Sequence, residues 1–387
     1  MPSTLSVLKR QLHSQSEPVS ANDSGKRGIV AVVPGLYGLR WECPFPEHSS
    51  VCPHRVDVLH LQTRIARMKT ITVCLFLILS MRFSTADEEE VCLADPALYK
   101  HNGMYYLFGT EPPPQRGFRI YASSDLQNWH VPQTAYDGGF VLKAGERAFG
   151  TEGFWAPQVL DYLGKTTLMY TANRQIAVAF ADHPTGPFVQ TEIGPINEDH
   201  QEIDPFLFQD DDGILYLYHV RKYDGNHIYV AEMETDLSSI KEGTLKHCLS
   251  VQNGTWENTP DFSSEEIAEG PTLIKRKGVY YLLYSANHFM SVEYAVGYAT
   301  SSSPSGPWKR YDGNPILRRE HLGINGPGHG DIFIDGDDMY YVFHTHASDQ
   351  EVRPRHTMLV KIRFQETPSG IDELVVDYNT ASYLNLD

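Results

Sequence analysis

Cysteine is scarce in this sequence. Its 387 residues include five cysteines, and only Cys92 and Cys248 lie beyond residue 86. No two cysteines are separated by two residues, the spacing typical of zinc-binding and redox motifs. A zinc site is therefore not expected. The two later cysteines either pair in a disulfide or stay as buried thiols, and the sequence favours neither outcome.

Basic residues are too few to balance the acidic ones. Lys and Arg number 32 against 49 Asp and Glu, so the formal net charge is −17. The first 86 residues are net positive, which makes the remainder more acidic than the whole chain. A surface of this charge repels phosphate backbones, anionic membranes and polyuronic acids. We therefore expect no nucleic-acid partner and favour a neutral ligand.

Helical periodicity is missing as well. No stretch of ten or more residues repeats apolar side chains at the helical spacing, which argues against an α/β fold. The apolar run at residues 71–80 is too short to span a bilayer comfortably. It follows Met68 and Lys69 and precedes the small residues 84–86, which is the pattern of a secretory signal peptide.

This pattern predicts how the chain is organised. We expect translation to start at Met68, residues 68–86 to be a cleaved signal peptide, and the protein to be secreted or periplasmic without membrane attachment. Residues 1–67 show no strand or helix pattern, and we interpret them as a non-native or disordered extension. Residues 87–387 then form one domain. The alternative is that residues 73–79 form a buried strand.

Strand-forming aromatic residues, in contrast, are abundant, with 22 Tyr and 17 Phe. They recur in hairpins that begin alike, and residues 268–285 are the clearest copy. There Glu269 precedes a Gly-Pro pair that opens an apolar strand, a turn follows at Gly278, and the second strand is rich in tyrosine. The five copies open at positions that we take to be equivalent: Asp95, Ala156, Asp204, Glu269 and Gly330.

Each hairpin is followed by further strand-like segments, so the repeating unit is four short strands. The unit recurs at intervals of about 50 to 65 residues, and an all-strand repeat of this length is typical of propeller blades. The sequence therefore predicts an all-β fold, a five-bladed β-propeller with four antiparallel strands per blade. Innermost strands face the axis of such a ring, so the residues that open them converge at one mouth of the channel.

Three of the five opening residues are acids, namely Asp95, Asp204 and Glu269. Carboxylates a few ångströms apart raise one another's pKa, so one can hold a proton near neutral pH while another stays ionised. One group can then act as a general acid and another as a general base, as glycoside hydrolysis requires. A single Asp-Pro pair would be an ordinary turn opening, but the shared position of three acids favours a catalytic site.

Five ordered motifs resemble glycoside hydrolase family 43. They are Asp95-Pro96, Phe154-Trp155-Ala156-Pro157, Ile203-Asp204-Pro205, Glu269-Gly270-Pro271 and Gly326-Pro327-Gly328-His329-Gly330. The resemblance implies that Asp95 is the base that activates water, that Glu269 is the acid that protonates the leaving oxygen, and that Asp204 orients this acid and raises its pKa. It also implies inversion, with the base and the acid roughly 6.5 to 9.5 Å apart.

The resemblance further implies a substrate class and its contacts. The substrates would be α-L-arabinofuranosides or β-D-xylosides in plant cell-wall polysaccharide. Trp155 would be a stacking platform, although core packing is its alternative role. Arg355 would pair with the acids and contact substrate, with Arg353 or a surface ion pair as the alternatives. The other expected substrate contacts are Phe154, His288 and Phe289.

We expect no required cofactor and a monomeric protein. The resemblance implies that His329 lies near the axis, where it would help to hold a structural Ca²⁺; a hydrogen-bonded structural role is the alternative. The acidic run at residues 210–212 lacks the alternating ligands of a calcium loop, and we predict a hairpin turn there.

Two other kinds of function stay open. One is a carbohydrate-binding propeller without catalysis, although a binding site has no use for mutually repelling acids. The other is a related propeller enzyme with a different specificity, such as a galactosidase, a fructan hydrolase or a glycoside phosphorylase.

Overall fold

The computed structural model describes residues 89–133, 138–197, 200–259, 262 and 265–387. The predicted extension at residues 1–67 and the predicted signal peptide at residues 68–86 lie outside the described residues. The regular secondary structure of the described chain consists of strands and one short helix, α1, at Arg319–Leu322. Within this part of the chain, no helix is long and apolar enough to cross a membrane.

Antiparallel sheets follow one another along the chain as five blades. Blade one contains β1 (Ala94–His101), β2 (Met104–Thr110), β3 (Gly117–Arg119), β4 (Tyr121–Ser123), β5 (Asn128–Trp129) and β6 (Phe140–Lys143), where β1, β2 and β4 form the sheet and β3 pairs with β6. Blade two contains β7 (Trp155–Tyr162), β8 (Lys165–Ala172) and β9 (Gln175–Ala181). Blade three contains β10 (Glu202–Gln209), β11 (Leu215–Lys222), β12 (Asn226–Glu232) and β13 (Lys246–Leu249).

The last two blades complete the set. Blade four contains β14 (Ala268–Arg276), β15 (Val279–Ala286), β16 (Ala295–Ser301) and β17 (Lys309–Arg310). Blade five contains β18 (Gly328–Asp335), β19 (Asp338–Thr345), β20 (His356–Gln365) and β21 (Glu373–Tyr383), and β22 (Asn385–Leu386) follows it.

The inner strands close a ring. Strands β1, β7, β10, β14 and β18 contact one another in that order, and β18 also contacts β1. The closing strand β22 pairs in parallel with β5 of blade one, and the Val91 N–H donates to the Leu384 carbonyl at 2.8 Å. Both ends of the described chain therefore meet in blade one, and the predicted five-bladed propeller is confirmed.

Two blades depart from the predicted four strands. Blades three, four and five each have four strands, whereas the sheets of blades one and two have three. In these two blades the fourth strand is reduced to a single bridge, Ala122 with His130 and Phe180 with Val189. Pro132 and Pro187 lie two residues from these bridges. Because proline has no N–H to donate to a ladder, the outer pairing cannot extend through them.

Every inner strand opens with the same irregularity. Two of its residues oppose one residue of the second strand, which is a β-bulge. The first residue of each bulge has a positive φ, between 41° and 60°, and these residues are Asp95, Ala156, Asp204, Gly270 and His329. Proline follows the first four of them and fixes the backbone there.

The bulge corrects the predicted alignment of the repeats. In blades four and five the equivalent residues are Gly270 and His329, not Glu269 and Gly330. Glu269 instead has the strand position of Trp155, one residue before the bulge. Aligning acid with acid was wrong by one residue, because the residue before proline sets the position of the bulge in blades one to four.

Acids also stand at the hairpin turns, at the far ends of the inner strands. The predicted turn at residues 210–213 is confirmed, since the Gly213 N–H donates to the Asp210 carbonyl at 2.9 Å. The Asp210 carboxylate accepts from Lys275 Nζ and from the Tyr280 hydroxyl of the next blade, both at 2.5 Å. We call this arrangement a turn latch. A second turn latch joins blades five and one through Asp335, Lys100 and Tyr105.

Apolar side chains fill the space between the blades, and large aromatic residues such as Phe108, Tyr218 and Tyr284 are completely buried. Cys248 is buried in the cluster between blades three and four. Cys92 is half-buried, and both cysteines are free thiols. Of the two outcomes that the sequence left open, the structure therefore has the unpaired one.

Candidate active site

The three predicted acids come together at one mouth of the channel. Asp95, Asp204 and Glu269 all line a cavity of about 320 Å³. Their exposed fractions are 7%, 5% and 8%, so each carboxyl group is largely removed from water. A buried carboxyl group favours its neutral form unless a cation or hydrogen-bond donor compensates the charge. The surroundings of each acid therefore decide its protonation.

Asp95 has a cationic environment. Arg355 Nη1 donates to its Oδ1 at 3.2 Å, and the Thr110 hydroxyl donates to its Oδ2 at 2.6 Å. His344 Nδ1 lies 3.3 Å from the same Oδ1. Burial alone would raise the pKa of Asp95, but the Arg355 guanidinium and then the His329 imidazole hold it well below its usual range. Asp95 is therefore a carboxylate at any pH near neutrality.

Asp204 lacks such a partner. Burial raises its pKa to about 7, and the negative charge of Asp95 adds to the rise. A backbone hydrogen bond from the Gly270 N–H to Asp204 Oδ2, at 3.2 Å, opposes it. The pKa of Asp204 is therefore raised far above that of Asp95, which lies in the same cavity.

The link between Asp204 and blade four has a local cause. In four blades the bulge N–H donates to a side chain at the end of the second strand of the preceding blade; the pairs are Asp95 with His344, Ala156 with Thr110, Asp204 with Thr171, and His329 with Ser285. In blade three the corresponding residue is Val220, which has no acceptor. The Gly270 N–H instead donates a hydrogen bond to the Asp204 carboxylate. This bond links Asp204 to the residue that follows Glu269.

Glu269 accepts two hydrogen bonds. The Tyr294 hydroxyl donates to its Oε1 and Asn226 Nδ2 donates to its Oε2, both at 2.8 Å. Burial and then the negative charge of Asp204 raise the pKa of Glu269 to about 6, although His329 and the Tyr294 hydrogen bond act in the opposite direction. Glu269 is thus a fixed carboxyl group that retains a proton in mildly acidic solution.

His329 lies between the acids. Its Nδ1 is 3.4 Å from Asp95 Oδ1 and 4.0 Å from Asp204 Oδ2. Gly270 lies against its ring, where a Cβ would come within 2.8 Å of the imidazole. Glycine at this position therefore provides the space for the histidine as well as the positive φ of the bulge.

Aromatic and basic side chains form the walls of the cavity. Trp155 is partly exposed on one side, and His288 and Phe289 lie on another with ring centroids 4.7 Å apart. The Arg355 guanidinium lies over the Phe289 ring at 4.8 Å, and Arg353 lies over the same ring at 5.3 Å. Four predicted contact residues thus border the cavity, and Arg355 is the arginine that bonds Asp95. Their roles toward substrate stay predictions.

A comparison with known families bears directly on this arrangement. The family model "Glycosyl hydrolases family 43" matches residues 90–368. The chain belongs to glycoside hydrolase family 43. The resemblance predicted from the motifs is therefore confirmed.

Known relatives agree with this family assignment. The solved structure of an endo-1,4-β-xylanase from Bacteroides thetaiotaomicron is 39% identical with a TM-score of 0.69, and the match covers 78% of this chain and 99% of that one. Beta-D-galactofuranosidase xynD of Aspergillus niger is 26% identical over 70% of this chain and 80% of its own length. Xylosidase/arabinosidase 43B of Humicola insolens is 27% identical over 65% of this chain, which spans about half of that relative, 46%. This chain is accordingly a glycoside hydrolase.

One predicted substrate contact of this family 43 enzyme is wrong. Phe154 has no exposed surface, and its ring packs against Phe118 and Tyr170 with centroids 5.8 Å and 6.1 Å away. Consecutive residues in extended chain point in opposite directions. Trp155 faces the cavity, so Phe154 faces the core of blades one and two.

Sequence reasoning missed the residues that hold the acids. Thr110 and His344 end second strands, where the repeat itself could have identified them. Asn226 begins the third strand of blade three and Tyr294 directly precedes the third strand of blade four. Neither has a counterpart in the hairpin motifs, so no signal pointed to them. Asp331, two residues after His329, is a further, half-buried acid whose pKa is raised to about 6 by desolvation of its carboxyl group.

The predicted Ca²⁺ stays a prediction that these residues do not favour. Ca²⁺ prefers six or more oxygen ligands, whereas His329 offers nitrogen and its Nδ1 already faces two carboxylates. Among the described residues, no group of three or more His, Cys, Asp and Glu side chains is arranged to hold a metal. No step below depends on a metal.

Proposed function

We propose that this family 43 enzyme hydrolyses neutral pentose glycosides with inversion, acting on α-L-arabinofuranosides or β-D-xylosides of plant cell-wall polysaccharide. The observation that carries the proposal is the contrast within one buried cavity between Asp95, whose pKa is held well below its usual range, and Glu269, whose pKa is raised to about 6. A base and an acid are thus ready at the same pH.

Each acid has one task in this reaction. Asp95, ionised beside Arg355, takes a proton from water as the water attacks the anomeric carbon. Glu269, protonated, donates its proton to the leaving oxygen. Asp204 contributes negative charge that raises the pKa of Glu269, and its bond with the Gly270 N–H fixes the backbone next to the acid. Tyr294 and Asn226 hold the carboxyl group in place.

The proposed substrate class rests on the cavity and on the relatives. A volume of about 320 Å³ suits one sugar ring rather than a long chain segment. Trp155 offers an aromatic face to such a ring. The relatives include enzymes named as a xylanase and a xylosidase/arabinosidase. A small neutral sugar bound beside Trp155, with its glycosidic oxygen toward Glu269, is consistent with all three observations.

Two assays test the proposal. A panel of p-nitrophenyl glycosides should show the highest kcat/KM with α-L-arabinofuranoside or β-D-xyloside. Proton NMR at early times should show a first product of the opposite anomeric configuration. Retention of the anomeric configuration would contradict the base role of Asp95. A strict requirement for phosphate would indicate a phosphorylase. Saccharide binding without turnover would indicate a non-catalytic propeller.

A second candidate is a β-D-galactofuranoside, because the Aspergillus niger relative bears that activity in its name. Galactofuranose has the five-membered ring of arabinofuranose with a longer exocyclic arm. The p-nitrophenyl β-D-galactofuranoside therefore belongs in the panel, and a higher kcat/KM with it than with either pentoside would replace the pentose assignment.

We also propose that the enzyme is secreted or periplasmic, from the signal-peptide pattern at residues 68–86, and that residues 87–387 form the mature catalytic domain. N-terminal sequencing of the secreted protein should find a start near residue 87. A start upstream of Met68 would contradict the proposal.

A further inference from the structure

A second concavity adjoins the catalytic cavity. Its volume is about 760 Å³, and it shares Trp155 and Gln115 with the catalytic cavity. Gly153 backs the shared wall, since a Cβ at this residue would lie 3.1 Å from the Trp155 ring. We call this second concavity the side groove. A branch close to a scissile sugar in the cavity is therefore within reach of the side groove.

The side groove has a charge opposite in sign to that of the chain. Three basic residues, Arg116, Lys143 and Arg174, line it together with two acidic ones, Glu146 and Glu152. The chain as a whole carries −17. Such a local excess of basic residues attracts an anion that the rest of the surface repels.

Two of these basic groups are available to a ligand. Arg116 and Arg174 are exposed, and within the described ranges neither guanidinium forms an ion pair or a side-chain hydrogen bond. Three arginines elsewhere in the described chain do have a carboxylate partner: Arg276 pairs with Asp372, Arg310 with Glu257, and Arg355 with Asp95. Two exposed guanidinium groups without a carboxylate partner among the described residues therefore line the side groove.

We propose that the side groove binds the carboxylate of a uronic acid branch on an otherwise neutral polysaccharide, through Arg116 and Arg174. The planar guanidinium group matches a carboxylate with two parallel hydrogen bonds. The proposal rests on the proposed function and narrows it, because the neutral sugar is cleaved in the cavity while the acidic branch selects the substrate. A polyuronic acid remains excluded, since its other charges would face the acidic surface.

The test uses two substrates that differ only in charge. One is a xylo-oligosaccharide with a glucuronic acid branch, and the other is the same compound with the carboxyl group reduced to the alcohol. The wild-type enzyme should have a lower KM for the acidic form. The double variant Arg116→Gln/Arg174→Gln should raise that KM by about tenfold, as expected for two charge-assisted hydrogen bonds near solvent. The KM for the reduced form should change by less than about twofold.

Arg363→Gln is the matched control, because Arg363 is exposed on blade five and borders neither concavity. It should change neither KM. Equal wild-type KM values for the two substrates would overturn the proposal, as would a double variant that weakens both equally.

A binding measurement separates this proposal from the proposed function. Calorimetric titration of the Glu269→Gln variant with the two oligosaccharides needs no turnover. A preference for the acidic form that disappears in Arg116→Gln/Arg174→Gln supports the side groove even if the wild-type enzyme hydrolyses neither compound. That lack of hydrolysis would instead refute the β-D-xyloside part of the proposed function. Hydrolysis without any binding preference would refute the side groove alone.

Discussion

Carboxyl groups stand at both ends of the inner strands, but their pKa values are shifted in opposite directions at the two ends. At the mouth of the channel, burial raises the pKa of Asp204 to about 7 and that of Glu269 to about 6. At the turn latches, hydrogen bonds from lysine and tyrosine hold the pKa of Asp335 below its ordinary value and outweigh burial to do the same for Asp210. The neighbouring blade supplies a lysine to each latch carboxylate, whereas among the described residues no lysine or arginine forms an ion pair with Asp204 or Glu269.

This contrast separates stability from function. A turn latch joins adjacent blades with an ion pair and a tyrosine hydrogen bond, and its carboxylate is stabilised by folding. The mouth contains carboxyl groups that folding removes from water without a matching cation. Within the described ranges, Asp95 is the mouth acid that has an arginine partner, and it is also the acid that the proposed reaction needs ionised.

The largest expected effect is the loss of turnover when a mouth acid is neutralised. Asp95→Asn and Glu269→Gln should each lower kcat by about 10² to 10⁴-fold, the usual contribution of general acid and base groups. Asp210→Asn makes the same chemical change at the other end of the blade and should leave kcat within about twofold. Initial rates on a pentose disaccharide, whose leaving oxygen needs a proton, measure both. A comparable loss of kcat in Asp210→Asn would contradict the proposal that the mouth acids, and not the latch acids, are catalytic.

Neutralising one acid at each end should change stability with opposite signs. Because the pKa of Asp204 is raised by folding, its contribution to stability is fully present at a pH below the ordinary aspartate pKa. That contribution is lost as the pH rises through about 7. Asp204→Asn should therefore raise the free energy of unfolding at pH 8, by up to about 4 kcal/mol at roughly 1.4 kcal/mol per pKa unit. The gain should disappear near pH 4.

Asp210→Asn should instead lower the free energy of unfolding at pH 8, by about 1 to 3 kcal/mol, because charged hydrogen bonds are lost. Because the pKa of Asp210 is lowered by folding, its carboxylate stabilises the protein at a pH above the ordinary aspartate pKa. This stabilisation is lost as the pH falls below that value. Urea denaturation at pH 8 and pH 4 measures both variants. Effects of the same sign at pH 8 would contradict the contrast between the two ends.

A smaller effect concerns the pH dependence of kcat/KM. Activity should decline above about pH 6, where Glu269 loses its proton. Asp204→Asn removes a negative charge that raises the pKa of Glu269, so the alkaline limb should move to lower pH. Tyr294→Phe removes a hydrogen bond that lowers this pKa, so the limb should move to higher pH. Asp335→Asn, at a turn latch, should leave the pH profile of kcat/KM unchanged. If the alkaline limb moved in the same direction in Asp204→Asn and Tyr294→Phe, the assignment of this limb to Glu269 would be contradicted.

The sequence predicted the propeller because strand-turn-strand units recur along the chain. It also found the acids, since Asp95 and Asp204 precede proline at a repeated position. It misplaced Glu269 by one residue, because the bulge depends on backbone conformation before proline and not on the acid itself. Phe154 and Trp155 could not be told apart as core and cavity residues, because only the sheet determines which side faces inward.

Residues that tune the acids were beyond sequence reasoning for a different reason. Asn226 and Tyr294 belong to different blades and meet only at Glu269. Val220 acts by lacking an acceptor, which leaves the Gly270 N–H to Asp204. Neither a contact between distant blades nor the effect of a missing group leaves a local pattern in the chain.

The central claim is that Glu269 donates the proton to the leaving group while Asp95 activates water. It is tested most directly by comparing Glu269→Ala and Asp95→Ala on two pentosides, one with a 2,4-dinitrophenyl leaving group and one with a sugar leaving group. The first leaving group departs without protonation. Glu269→Ala should therefore retain far more kcat/KM on the dinitrophenyl substrate than on the disaccharide, whereas Asp95→Ala should lose activity on both. Equal losses on both substrates in Glu269→Ala would contradict the account.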